Sequence, residues 1–177
     1  NSGLRATVLC EDPQMVVIDD YLPQPERQAL IDAARLNLGV PKLDVGQIGA
    51  DYEVRSGRLA WLPHDHSPTT LRLADRIATL VGIPLENAES FQVVRYGVGH
   101  QYLAHYDAYD MTTGVGTSNV PRGGQRIVTA LLYLVAPDVG GATPFPNLDL
   151  EVAPVPGRLL VFWNVGRDRL CPHPSTL

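Results

Sequence analysis

Apolar residues change their period near the middle of this chain. From Glu26 to Leu38 they fall at Ala29, Leu30, Ala33, Ala34 and Leu36, a helical spacing that stops at Gly39. Ser67-Pro68 then supplies a hydroxyl N-cap with proline at the first helical position. Leu71, Ala74, Ile77, Ala78 and Val81 form the apolar face of this second helix, and Gly82 closes it. After Pro84 no long helical period returns. Short apolar runs alternate with Gly/Pro turns: Phe91–Tyr96, Gln101–Tyr106, Arg126–Val135, Leu150–Ala153 and Arg158–Trp163. Met15–Asp19 and an interrupted Glu53–Leu62 add strands upstream. The expected class is mainly β with flanking helices (α+β). Strands at this spacing predict a double-stranded β-helix, or jelly roll, with the N-terminal helices packed on one sheet. One domain is expected over 1–177, with a helix-containing part at 13–82 and the jelly-roll core at 83–177.

Composition narrows the classes. A chain of 177 residues that is 45% hydrophobic can hold one domain with a real core. Its 14 Lys+Arg against 19 Asp+Glu leave a net charge of −5 and no basic run, which argues against nucleic acid or an anionic membrane as partner. The longest apolar run, Ile127 to Pro137, is interrupted only by Thr129; it is too short to span a bilayer and suits a buried strand. The two cysteines, Cys10 and Cys171, lie near opposite ends, so no disulfide framework is expected. A cytoplasmic location is the expectation that follows. Met111–Gly124 is rich in Gly, Thr and Ser and directly follows the most interesting motif, which makes it a candidate lid.

That motif is His105-x-Asp107. On a strand, residues i and i+2 share a face, so an imidazole and a carboxylate at this spacing can converge on one cation. One more histidine would complete the two-His-one-carboxylate set that leaves positions open on a non-haem Fe(II). A His-x-Asp alone is weak evidence, since a turn-capping Asp beside a packed His gives the same pattern. His64-Asp65-His66 is a second cluster, better read as a polar loop before a helix start. Trp61, Tyr106 and Tyr109 suit either a substrate pocket or simple packing.

The surroundings of His105 carry more. Arg95-Tyr96-x-x-Gly99-x-x-Tyr102-x-x-His105-x-Asp107 is followed by Arg126-x-x-Thr129 ahead of Tyr133-Leu134. Then come Gly140-Gly141-x-Thr143-x-Phe145-Pro146, and a Pro156-Gly157 turn ahead of Phe162-Trp163. In this order the motifs resemble the prolyl 4-hydroxylase-like group of Fe(II)/2-oxoglutarate-dependent dioxygenases. The main local departure is His100, where that group carries glutamine. The resemblance implies that His105 and Asp107 bind Fe(II), and that Tyr96, Tyr102 and Thr143 lie near the 2-oxoglutarate. It implies that Arg126 faces the substrate; a salt bridge at a strand end is the other reading of Arg126. It implies a third histidine ligand after the Phe-Trp strand, expected just beyond Leu177 in a chain incomplete at that end, with His173 as a substitute. A basic partner for the distal carboxylate of 2-oxoglutarate is expected farther on.

The implied activity is hydroxylation of a prolyl or related amino-acid centre, free or in a peptide, using Fe(II), 2-oxoglutarate and O₂, with ascorbate as a further candidate cofactor. The alternatives are a catalytically inactive jelly-roll binding module and an oxygenase acting on a non-prolyl small molecule. Partners would be a small molecule or peptide, neither nucleic acid nor membrane, with the oligomeric state open. Nothing in the chain suggests nucleophilic catalysis or a phosphate-cradling loop.

Overall fold

A computed structural model describes residues 5–39, 57–114, 117, 120, 124–166 and 170–177. Two compact units are present: residues 1–27 with 105–177, and residues 28–104. No helix among the described residues is long and apolar enough to cross a membrane.

The first unit is built on four antiparallel strands in the order β1-β2-β8-β5: β1 (Ala6–Glu11), β2 (Gln14–Ile18), β8 (Leu159–Trp163) and β5 (Val128–Leu132). β8 lies inside the sheet and is buried on both faces, with Leu159, Leu160 and Val161 at 1% exposure or less. Successive side chains alternate between faces. Leu160 and Phe162 of β8, Met15 and Val17 of β2, and Leu131 beside Tyr133 therefore point into one core cluster. Its far side is a two-stranded hairpin, β6 (Thr143–Phe145) with β7 (Leu150–Val152), which contributes Phe145 and Val152. Phe145 meets Phe162 edge-on, with ring centroids 5.1 Å apart.

Two contacts fix how β8 enters the sheet. The pairing of Ile18 with Leu159 brings Asp19 beside Arg158. The Arg158 guanidinium donates to both carboxylate oxygens, at 2.7 and 3.2 Å, and holds the Asp19 carboxyl below its ordinary pKa. Gly157 sits at φ 90° with its N–H on Tyr133 O and its carbonyl on Leu22 N–H. A Cβ there would come within 2.8 Å of the Leu22 carbonyl oxygen, so glycine is required on two counts.

The second unit holds the strand pair β3 (Arg58–Leu62) and β4 (Phe91–Arg95) and the helix α2 (Pro68–Val81). Ser67 and Thr70 form a reciprocal capping box, and Gly82 ends the helix at φ 70°. The boundary between the units falls within the helix α1 (Gln24–Arg35).

Several expectations need correction. The α1 helix ends at Arg35, not Leu38, because the Asn37 side chain takes the Ala33 carbonyl and its N–H turns back to Ala34 O. Leu36 is consequently exposed. The buried face of α2 is Thr70, Leu73 and Ala74, with Leu71 exposed. The true stripe starts at a threonine that reads as polar in sequence. The Ile127–Pro137 run is only half-buried over β5, because β5 lies at the sheet's end among the described residues. Gln101–Tyr106 does not form a strand. Strands β1 and β6 were not foreseen: β1 is mostly exposed, and β6 carries a proline. Glu53–Ser56 lie outside the described residues.

Gly157→Ala should destabilise the fold by roughly 1–3 kcal/mol, from a left-handed φ and a backbone clash together. Urea unfolding of parent and variant measures it, and an unchanged midpoint would contradict the close approach to Leu22. Asp19→Asn tests the ion pair through pH. The Asp19 pKa is lowered on folding, so its stabilisation is present above the ordinary value of 3.8 and is lost as the pH falls through the folded value. The Tm gap between parent and variant should hold steady near neutrality and close in acid.

Candidate metal centre

The inner face of the main sheet turns polar at one end. Along β5 the core-facing row runs Tyr133, Leu131, Thr129, and along β8 it runs Leu160, Phe162 and then Asn164 just past the strand. Asn164 is fully buried. Its N–H bonds Ile127 O at 2.9 Å, extending the ladder, and its Nδ2 donates to Thr129 Oγ1 at 2.8 Å. Thr129 Oγ1 in turn donates to Asp107 Oδ2 at 2.6 Å. The other carboxylate oxygen, Asp107 Oδ1, faces His105 Nε2 at 3.3 Å.

His105 and Asp107 thus meet as expected, but not from a strand. Their segment is a loop held by side chains in place of a ladder. The Gln125 amide accepts from Tyr109 N–H at 2.8 Å and donates to Tyr109 O at 2.6 Å, standing in for a paired strand residue. Thr129 supplies the second anchor. Burial pushes the Asp107 carboxyl's pKa up, but the hydrogen bonds from His105 and Thr129 and the nearby positive charge of Arg126 outweigh it, so the net shift is downward. The carboxylate is held ionised, as a ligand must be. An imidazole nitrogen and a carboxylate oxygen, about a third and a quarter exposed, fit two positions of a facial Fe(II) set. No third His, Cys, Asp or Glu joins them among the described residues.

Residues 91–174 match the family model of the 2OG-Fe(II) oxygenase superfamily. Prolyl 4-hydroxylase 5 of Arabidopsis thaliana is 32% identical over 89% of this chain and 51% of its own length. The chain is similar to prolyl 4-hydroxylases over most of its own length. It spans about half the length, or less, of several curated relatives it matches. Its fold is that of a viral collagen prolyl hydroxylase from Paramecium bursaria Chlorella virus-1, solved with 2OG: TM-score 0.70, 23% identity, 96% of this chain and 88% of that one. A Trichoplax adhaerens prolyl hydroxylase, solved with a hypoxia-inducible-factor peptide fragment, gives a TM-score of 0.55 at 21% identity over 84% of this chain and 72% of that one.

Against the oxygenase pattern, the remaining residues fall as follows. Thr143 accepts from the buried Tyr133 phenol at 2.7 Å, across the core from Thr129's end of the row. Arg126 stacks over the Tyr109 ring at 5.2 Å and contributes positive charge to Asp107. Tyr96 and Tyr102 belong to the other unit. His173 does not join His105 and Asp107: its Nδ1 accepts from Ser175 N–H, and its Nε2 faces Asp12 Oδ1 at 3.5 Å. His64 bonds Glu89 O and packs edge-on against Phe91, the structural reading of His64-Asp65-His66. Of the candidate lid, residues 115–116, 118–119 and 121–123 lie outside the described residues; Met111 N–H bonds Leu170 O at its start.

Sequence reasoning missed Gln125, Thr129 and Asn164 as parts of the site. The available signal was Thr129, the lone hydroxyl in an apolar run. Removing the Gln125 amide should loosen the loop. In Gln125→Ala the Tyr109 amide loses its acceptor at a cost of about 1 kcal/mol, and hydrogen exchange at Tyr109 should quicken by roughly fivefold. Unchanged protection there would place the loop's anchor elsewhere.

Proposed function

We propose that the protein is an Fe(II)/2-oxoglutarate-dependent hydroxylase acting on a prolyl or related amino-acid centre, free or in a peptide. The observation that carries this reading is the His105–Asp107 pair, with Nε2 and Oδ1 3.3 Å apart and the second carboxylate oxygen tied back to Thr129. His105 and Asp107 would hold Fe(II), and the third ligand would come from outside the described residues. Thr143, with Tyr133, would present hydroxyls to the co-substrate, as would Tyr96 and Tyr102. Arg126, beside Tyr109, would face the substrate. When bound, Fe(II), 2-oxoglutarate and O₂ supply the oxidation, with 2-oxoglutarate leaving as succinate and CO₂. The chain's own work is to position the ligands and to hold Asp107 ionised.

The same proposal includes a jelly roll, with the helices on one sheet, within one dioxygenase domain over 1–177. The antiparallel four-stranded sheet facing the β6–β7 hairpin supports it. A peptide substrate is favoured because a prolyl hydroxylase of related fold was solved with a peptide fragment. Cytoplasmic residence and ascorbate use belong to the proposal, the first supported by two free thiols, Cys10 and Cys171.

The test is succinate release by the full-length protein with Fe(II), 2-oxoglutarate and a proline-rich peptide. Asp107→Ala and His105→Ala should each reduce release to background while the fold melts cooperatively, because the remaining ligands hold the ion poorly. An Asp107→Ala protein that turns over at the parent rate would remove these residues from the site. A parent that binds peptide without turnover would support the inactive binding module.

A further inference from the structure

We propose that Asn164, acting through Thr129, decides which oxygen of Asp107 is offered to the metal, and so keeps this carboxylate a one-oxygen ligand. The inference rests on the reading of His105 and Asp107 as metal ligands.

The argument is one of proton counting. A threonine hydroxyl has a single proton and can accept from other donors. The ionised Asp107 carboxylate can only accept, so at 2.6 Å from Oδ2 the Thr129 proton is committed to it. At 2.8 Å, Asn164 must then present its NH₂ to Thr129, because the amide oxygen would face an oxygen with no proton left to give. This fixes the direction of the whole chain: Asn164 to Thr129 to Asp107 Oδ2. Asn164 bears a cost for it. Its Oδ1 is buried with no hydrogen-bond partner among the described residues, and a buried unpaired carbonyl is unfavourable. An apolar residue would avoid that cost, so a residue chosen for packing alone would not be Asn. The backbone leaves it little freedom to turn, since its N–H is on Ile127 O and its carbonyl takes the His173 N–H.

The two carboxylate oxygens are therefore divided. Oδ2 is held at the back by Thr129, and Oδ1 is turned toward His105 Nε2. A carboxylate free to rotate could bring both oxygens to one ion and take up a position that a bidentate 2-oxoacid needs. Thr129 is the residue that prevents this, and Asn164 is the positioning residue that keeps the hydroxyl pointed. Neither needs to touch the metal.

The experiment uses the full-length protein loaded with Mn(II). Water-proton relaxation counts the exchangeable waters on the bound ion, and calorimetry gives its affinity for Mn(II) and then for 2-oxoglutarate. Thr129→Val, close in shape but without the hydroxyl, should lose about one metal-bound water and weaken 2-oxoglutarate binding roughly tenfold. Thr129→Ser keeps the hydroxyl and should behave as the parent. Asn164→Asp, which offers Thr129 a second acceptor, should resemble Thr129→Val; if its buried charge prevents folding, the Thr129 pair decides alone. An unchanged water count in Thr129→Val would overturn the inference, even if Mn(II) affinity falls, because Thr129 would then only hold the loop. A parent that fails to bind Mn(II) would overturn the metal-site reading itself, and this inference with it.

Discussion

Strand β8 is the constraint on which the rest depends. It pairs with β2 on one side and β5 on the other, and its side chains are buried on both faces. Each fully buried aliphatic or aromatic side chain there contributes about 1.5–3 kcal/mol relative to exposure. A shift of one residue would exchange its two faces, so the register is strongly specified. Its two ends carry the polar devices. At the entry are Gly157 against Leu22 and Arg158 on Asp19; at the exit is Asn164. The register that buries Phe162 against Phe145 also sets Asn164 opposite the start of β5, where Thr129 waits. Core packing and site geometry are therefore one choice of register.

The metal-site loop gains order from that core without being part of a ladder. Residues 105–110 form no strand, yet Gln125 and Thr129, at the head of β5, bind a backbone pair and a carboxylate. A site on a loop is precise only where its supports are rigid. Here the supports are one step from the most buried strand. Arg126, between the two anchors, adds positive charge toward Asp107 while stacking on Tyr109.

Much of this was legible in the chain. The β2, β3, β4, β7 and β8 runs show their apolar texture, and Ser67-Pro68 with Gly82 marks α2 to the residue. His105 and Asp107 can be paired by spacing, but they meet in a loop and not on a shared strand face. A two-residue separation in a loop can converge only if something outside it imposes the bend, and those long-range bonds leave no local trace. Thr129 shows the limit well. In sequence it interrupts an apolar run; in the fold it continues the core row and ends it with a hydroxyl. Thr70 misled in the same way on α2, where it is buried despite its polarity. Both are threonines whose hydroxyls are hydrogen-bonded, Thr70 to Ser67 and Thr129 to Asp107 and Asn164.

What separates a candidate site from a packed polar cluster is where its hydrogen bonds end. His64 finishes on a backbone carbonyl and a ring, and His173 caps a turn and faces Asp12. Among the described residues, neither brings a second metal-ligating side chain beside a carboxylate that is itself anchored from the core. The chain from Asn164 runs the other way, from a fully buried amide outward through a hydroxyl to a partly exposed carboxylate beside an imidazole. Each step carries direction, because a hydroxyl has one proton and an ionised carboxylate has none. Here a buried amide leaves its own carbonyl unpaired among the described residues while its NH₂ holds the hydroxyl that grips the acid. A network that orients an acid toward an incoming cation needs this polarity: donors on the inside, lone pairs on the outside.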